Sequence, residues 1–214
     1  MITNIFFDLD GVLVDAVPLH QKSFLMAIKM FGIDMSEDEH MELFNGRPTK
    51  EKLKILVEQN RLSTQDSDHI FKIKQSITND LILTEIISMQ NVVDTVRWAS
   101  GFYNMSIFSN SIRSTIIKIL TSAGLIELFK NSTIISNEDI NYPKPDPSGY
   151  LKLLDLNRCK PNNVIVIEDT DLGVASAKAA GINNILVVSS PADLNLIKLK
   201  EFIRDCNNAN GRRS

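Results

Sequence analysis

Five short runs of β-branched and aromatic residues recur along the chain, at 2–7, 105–108, 133–135, 164–167 and 185–188. Runs of this length read as buried strands, and most are followed by polar residues and then by a segment of helical spacing. Strands that alternate with helices pair in parallel and carry helices on both faces of the sheet, so an α/β fold is expected. Ligands of such sheets bind outside the C-terminal ends of the strands, which says where chemistry is to be sought.

The stretch 16–86 breaks the alternation and holds no convincing strand. Leu19, Phe24, Ala27, Ile28 and Phe31 recur at helical spacing, with Gly32 as a stop. Ser36 and Glu39 have the spacing of a capping box, and Thr49 can cap a third helix whose inner face carries Leu53, Leu56 and Val57. A fourth helix is predicted over 64–81. The reading is therefore a core formed by 1–15 and 87–206, a helical insertion at 16–86 directly after the first strand, and a disordered tail at 207–214, where Asn, Gly and Arg dominate. No internal repeat is visible.

Composition mainly excludes. A chain of 214 residues can bury one core plus a smaller satellite, and 43% apolar with 23% charged residues is the balance of a globular protein. The net charge of -3, with 23 basic residues scattered along the chain, leaves no footprint for nucleic acid. Cys159 and Cys206 lack Cys-x-x-Cys spacing and read as free thiols of a reducing compartment. No run approaches the roughly 18 apolar residues of a membrane span, and the N-terminus lacks the basic region of a signal peptide. A cytoplasmic monomer without membrane or nucleic-acid partners is the expectation.

Candidate chemistry gathers at strand ends. Asp8 and Asp10 close the first strand, and Gly11 lets the chain turn away. Two ionised carboxylates this close need a cation or a proton between them, and a hard ion such as Mg²⁺ suits oxygen ligands. Glu168 and Asp169 close the fourth run and can converge on the same ion, and Asp171 is either the N-cap of the next helix or a further metal ligand. Ser109, Asn110 and Ser111 follow the second run, where hydroxyl and amide groups can donate to phosphate oxygens or simply cap a helix. Lys144 sits among Pro143, Pro145 and Pro147, which restrict where it points; it is either a loop cation or a counter-charge to Asp8.

Taken together, Asp-x-Asp, Ser, Lys and Glu-Asp, in this order and each after a separate strand, resemble the four motifs of the haloacid dehalogenase superfamily. The match covers nearly the whole chain. The opening Asp8-Leu9-Asp10-Gly11-Val12-Leu13-Val14-Asp15 is similar to the branch that contains β-phosphoglucomutase and phosphoglycolate and other small-metabolite phosphatases, and the insertion resembles its helical cap. The resemblance implies a Rossmann-like core and a Mg²⁺-dependent phosphatase acting through an aspartyl-phosphate. In that scheme Asp8 is the nucleophile and Asp10 the general acid and base. Ser109 and Lys144 hold the phosphoryl group, and Mg²⁺ is bound by Asp8, the Asp10 carbonyl and Asp169, with Glu168 nearby.

The resemblance also suggests substrate-binding roles for Asn110 and for His20, Gly46 and Arg47 of the insertion, with Lys50 close by. Three departures separate the chain from the mutases: Ala16 replaces a hydroxyl-bearing residue, Ser111-Ile112-Arg113 replaces the Ser-Lys-Asn run that helps hold a second phosphate, and the Pro-Gly turn is missing near 85–87. A phosphatase for a sugar phosphate or a phosphoglycolate-like metabolite is expected; a mutase and a catalytically silent binding protein are the alternatives.

Overall fold

A computed structural model describes residues 1–211. The chain divides into two compact units, one built from 1–15 and 87–214, the other from 16–86. The first unit contains β1 (Asn4–Phe7), β2 (Asn104–Phe108), β3 (Thr133–Ile135), β4 (Val164–Glu168) and β5 (Ile185–Val187). They form one sheet in the order β3-β2-β1-β4-β5, and every pairing is parallel. Every residue of β1 and β4 is buried, which is why these central strands read as unbroken apolar runs.

The sheet is doubly wound. From β1 the chain steps outward to β2 and β3, then returns to β4 and β5 on the other side. Right-handed crossovers over such a path place helices on both faces. On one face Phe6, Phe108, Val164 and Val166 pack against Tyr150 and Leu153 of α7 (Ser148–Leu156) and Ala177 of α8 (Asp171–Ala179). On the other, α5 (Gln90–Ser100) packs on β2 and α9 (Leu196–Gly211) on α5. The α/β fold with helices on both faces and an inserted helical unit agrees with the sequence reading. The direction of winding reverses at β1 and β4, and their C-terminal ends border the crevice where such folds take ligands.

The second unit is helical: α1 (Val17–Lys29), α2 (Glu37–Phe44), α3 (Thr49–Glu58) and α4 (Ser67–Glu85) enclose Phe24, Ala27, Ile28, Phe44, Leu53, Leu56 and Ile70. Ser36 caps α2 by accepting from the Glu39 N–H at 3.1 Å. Gly32 ends the turn after α1 with φ +76.

Four expectations are corrected. Thr49 does not cap α3: Pro48 holds the N-cap position, and its carbonyl accepts from Glu51 and Lys52 at 3.0 and 3.2 Å. Asp171 does not cap α8: the Thr170 hydroxyl accepts from the Gly173 N–H at 3.1 Å, and Asp171 is the first helical residue. The fourth helix of the insertion starts later and runs further than 64–81, because residues 64–66 form a separate 3₁₀ turn. Residues 207–211 are helical and not a tail, since α9 reaches Gly211 and the Asn207 side chain accepts from the Ile2 N–H at 2.8 Å. Residues 212–214 lie outside the described residues. Cys159 and Cys206 are free thiols. No helix among the described residues is long and apolar enough to cross a membrane.

Candidate active site

The site begins where β1 ends. The Asp8 N–H donates to Ile167 O at 2.9 Å, so Asp8 still runs beside β4. Leu9 is buried, and the chain then reverses: Gly11 N–H donates to Val14 O at 2.8 Å, and Leu13 N–H to Leu9 O at 2.9 Å. Gly11 takes φ +92, a conformation that disfavours other residues. A Cβ there would lie 2.1 Å from Asp169 Oδ2, so any side chain at this turn would displace the Asp169 carboxylate that follows β4.

Lys144 ties three strands together. Its buried ammonium donates to Asp8 Oδ1 at 2.5 Å, to Glu168 Oε1 at 2.5 Å and to the Phe108 carbonyl at 3.0 Å. Its backbone N–H donates to Asn110 Oδ1 at 3.2 Å, which gives Asn110 a structural task in the same cluster. Glu168 is fully buried and accepts on Oε2 from the Asp169 N–H at 3.2 Å and from the Thr170 hydroxyl at 3.4 Å.

Ser109 and Ser111 point the other way. Their hydroxyls donate to Asp10 Oδ2 at 3.3 and 3.0 Å. Neither caps α6 (Arg113–Ser122), whose N-cap position is Ile112. The two serines orient the Asp10 carboxylate while Lys144 orients that of Asp8.

Charge is concentrated here. Asp8, Glu168 and Asp169 each offer an oxygen, all within 4.8 Å of one another. Burial pushes the Asp8 carboxyl well above its usual range; Lys144 opposes this, while Glu168, Asp169 and Asp10 add to it. Burial and the neighbouring Glu168 push Asp169 up to about 7. Burial alone would lower the Lys144 ammonium, but Asp8 and Glu168 outweigh it and raise the group, so Lys144 stays charged. Asp169 Oδ1 is buried without a hydrogen-bond partner. A set of crowded carboxylates with one orphaned oxygen fits a hard divalent cation.

His20, Gly46 and Arg47 belong to the helical unit. His20 Nδ1 lies 3.2 Å from the Lys74 ammonium. Gly46 has φ +72. Arg47 pairs with Glu51 one turn on, and its Nε donates to Leu43 O at 3.1 Å. Lys50 sits over the Phe71 ring at 5.6 Å.

Two groups at the site went unread in the sequence. The Tyr150 hydroxyl donates to Glu168 Oε1 at 2.8 Å. Gly173 stands where a Cβ would lie 2.0 Å from the Glu168 carboxyl carbon. Tyr150 looks like a core aromatic of α7 and Gly173 like an ordinary small helical residue, so no local signal marks either.

The fold has solved counterparts. CbbY from Rhodobacter sphaeroides, in complex with phosphate, superposes with a TM-score of 0.78 at 21% identity, over 87% of this chain and 86% of that one. This is a likeness of fold. In sequence, the phosphorylated carbohydrates phosphatase of Thermotoga maritima is 28% identical, over 85% of this chain and 82% of its own. The fructose-1-phosphate phosphatase YqaB of Escherichia coli is 24% identical, over 84% and 93%. Residues 5–187 match the haloacid dehalogenase-like hydrolase family, and the chain belongs to it. It is an enzyme of the hydrolase class.

Proposed function

We propose that the chain is a phosphatase that hydrolyses a small phosphorylated metabolite, a sugar phosphate above all, through a phosphoaspartate on Asp8. The observation that carries this reading is the Asp8 carboxylate at the switch point of the sheet, with one oxygen fixed by Lys144 at 2.5 Å. The names of the two phosphatase relatives support the substrate class.

In this reading Asp8 attacks phosphorus and the bond to the leaving oxygen breaks. Asp10 gives that oxygen its proton, then takes one from the water that attacks the phosphoaspartate. Inorganic phosphate leaves, and both aspartates return to their starting state. Ser109 and Ser111 keep the Asp10 carboxylate in one orientation for both proton transfers. Lys144 balances the charge of Asp8. Asp8 and Asp169, with Glu168 adjoining and the Asp10 carbonyl completing the set, would hold Mg²⁺, which would offset the repulsion between Asp8 and an incoming phosphate and draw charge from the phosphoryl oxygens. Asn110, His20, Gly46 and Arg47 are the proposed substrate-recognition residues.

A phosphatase is preferred to a mutase because of Arg113. It stands in the run that helps hold a second phosphate in the mutases, yet its guanidinium donates to Ile134 O at 2.9 Å and to Asp139 at 2.7 Å. The test is phosphate release from a panel of phosphorylated metabolites with Mg²⁺, for the wild type and Asp8→Asn. The wild type is expected to release phosphate and Asp8→Asn to release none. A wild type inactive on the whole panel would sink the reading, and conversion of β-glucose 1-phosphate to glucose 6-phosphate without phosphate release would make the protein a mutase.

A further inference from the structure

We propose that Tyr150 is a positioning residue of this site, acting through Glu168 to set where the Lys144 ammonium stands relative to Asp8. The proposal rests on the phosphatase reading for its kinetic arm only.

Tyr150 is fully buried in the cluster that covers one face of the sheet. A phenylalanine would supply the same apolar packing, and a buried phenol without a partner is costly. The hydroxyl has a partner, and a consequential one: Glu168 Oε1, at 2.8 Å, the same oxygen that accepts from Lys144 at 2.5 Å. Burial and the nearby Glu168 charge hold the phenol well above its ordinary range, so it stays a neutral donor.

The surroundings leave Glu168 little freedom. Oε1 accepts from Tyr150 and Lys144, and Oε2 from the Asp169 N–H and the Thr170 hydroxyl. The missing side chain of Gly173 makes the room that the carboxylate fills. Lys144 is constrained in turn. An ammonium has three hydrogens, and here Asp8 Oδ1, Glu168 Oε1 and the Phe108 carbonyl accept from it. The rings of Phe108 and Tyr150 lie 4.7 and 5.5 Å from Nζ. Asp8 and Glu168 therefore compete for one cation at equal distance. The Tyr150 hydroxyl takes up part of the Glu168 charge and so moderates its pull. Without that hydroxyl, Glu168 draws Lys144 away from the nucleophile.

Tyr150→Phe tests this with two readouts. A hydrogen bond to a charged group is strong enough that its loss should lower kcat about tenfold, with KM unchanged within about twofold. In a Glu168→Gln background the same substitution should have little further effect, because the coupling runs through Glu168. An equal loss in both backgrounds, or none in either, would overturn the proposal. A crystal structure of Tyr150→Phe gives the second readout independently of turnover: the Lys144–Asp8 distance should lengthen while the Lys144–Glu168 contact is kept. Unchanged contacts there refute the positioning role even if the wild type proves inactive on every monoester, a result that would count against the phosphatase reading alone.

Discussion

Asp169→Asn removes a charge from a place where the metal-free fold holds it at a cost. The folded carboxyl titrates at about 7 against an ordinary 3.8, because of burial first and Glu168 second. Between those values the folded chain keeps a proton that the unfolded chain has released. The stability from this group is therefore complete below about pH 4 and is lost as the pH rises through about 7. The interval spans about three pH units at about 1.4 kcal/mol each, a ceiling of about 4 kcal/mol. Asp169 is only half-buried, and screening by water brings the expected size to about 2 kcal/mol. Asparagine cannot titrate, so the variant should lose about 2 kcal/mol less than the wild type between pH 4 and pH 8 in EDTA. Asp8 is raised as well, in part by Asp169 itself, so in the variant it is raised less and the difference between the two profiles widens in the same direction. The assay is urea unfolding followed by circular dichroism. Adding Mg²⁺ at pH 8 should stabilise the wild type and leave the variant unmoved, and the variant should lose phosphatase activity. Parallel pH profiles for the two proteins, or a variant less stable than the wild type at pH 8, would refute the reasoning.

Gly11→Ala should cost about 1–3 kcal/mol and weaken Mg²⁺ binding, because φ is +92 and the new Cβ would meet Asp169 Oδ2 at 2.1 Å; calorimetric titration with Mg²⁺ measures the second effect. Lys144→Met keeps the volume but leaves Asp8 and Glu168 without their buried counter-charge, so a loss of about 3–5 kcal/mol is expected in EDTA, with activity abolished; urea unfolding at pH 7.5 reads it. Ser36→Ala removes the α2 cap and should cost about 1 kcal/mol while leaving kcat unchanged, which thermal unfolding and steady-state kinetics together check.

The central strands were legible because burial on both faces makes them apolar throughout, and Asp8, Ser109 and Asp169 were legible as candidates because each directly follows such a strand. Local competition blurred the helix starts. Pro48 takes the cap position next to Thr49, and Thr170 takes it ahead of Asp171. Residues 207–211 read as a polar tail, yet Asn207 is tied to Ile2 across the length of the chain, a contact that no window of sequence contains. Tyr150 and Gly173 were hidden for the same reason. The roles of both depend on what β4 brings against α7 and α8, and a phenol or a missing Cβ carries no mark of its tertiary neighbour.

The register that sets Asn4 beside Val164 has a consequence for biosynthesis. Asp8, the proposed nucleophile, leaves the ribosome well before its partners, since Lys144 lies 136 residues further along and Glu168 and Asp169 later still. Until then β1 lacks the strand that completes one side of it, and Asp8 lacks both its counter-charge and its companion acids. Such sequence-distant pairing forms late and slowly. Under the proposed function the nascent chain therefore carries the Asp8 carboxylate unarmed, and a product truncated before residue 164 should bind no Mg²⁺ and attack no ester. Splitting the site between segments so distant in sequence makes catalysis wait until synthesis has passed β4.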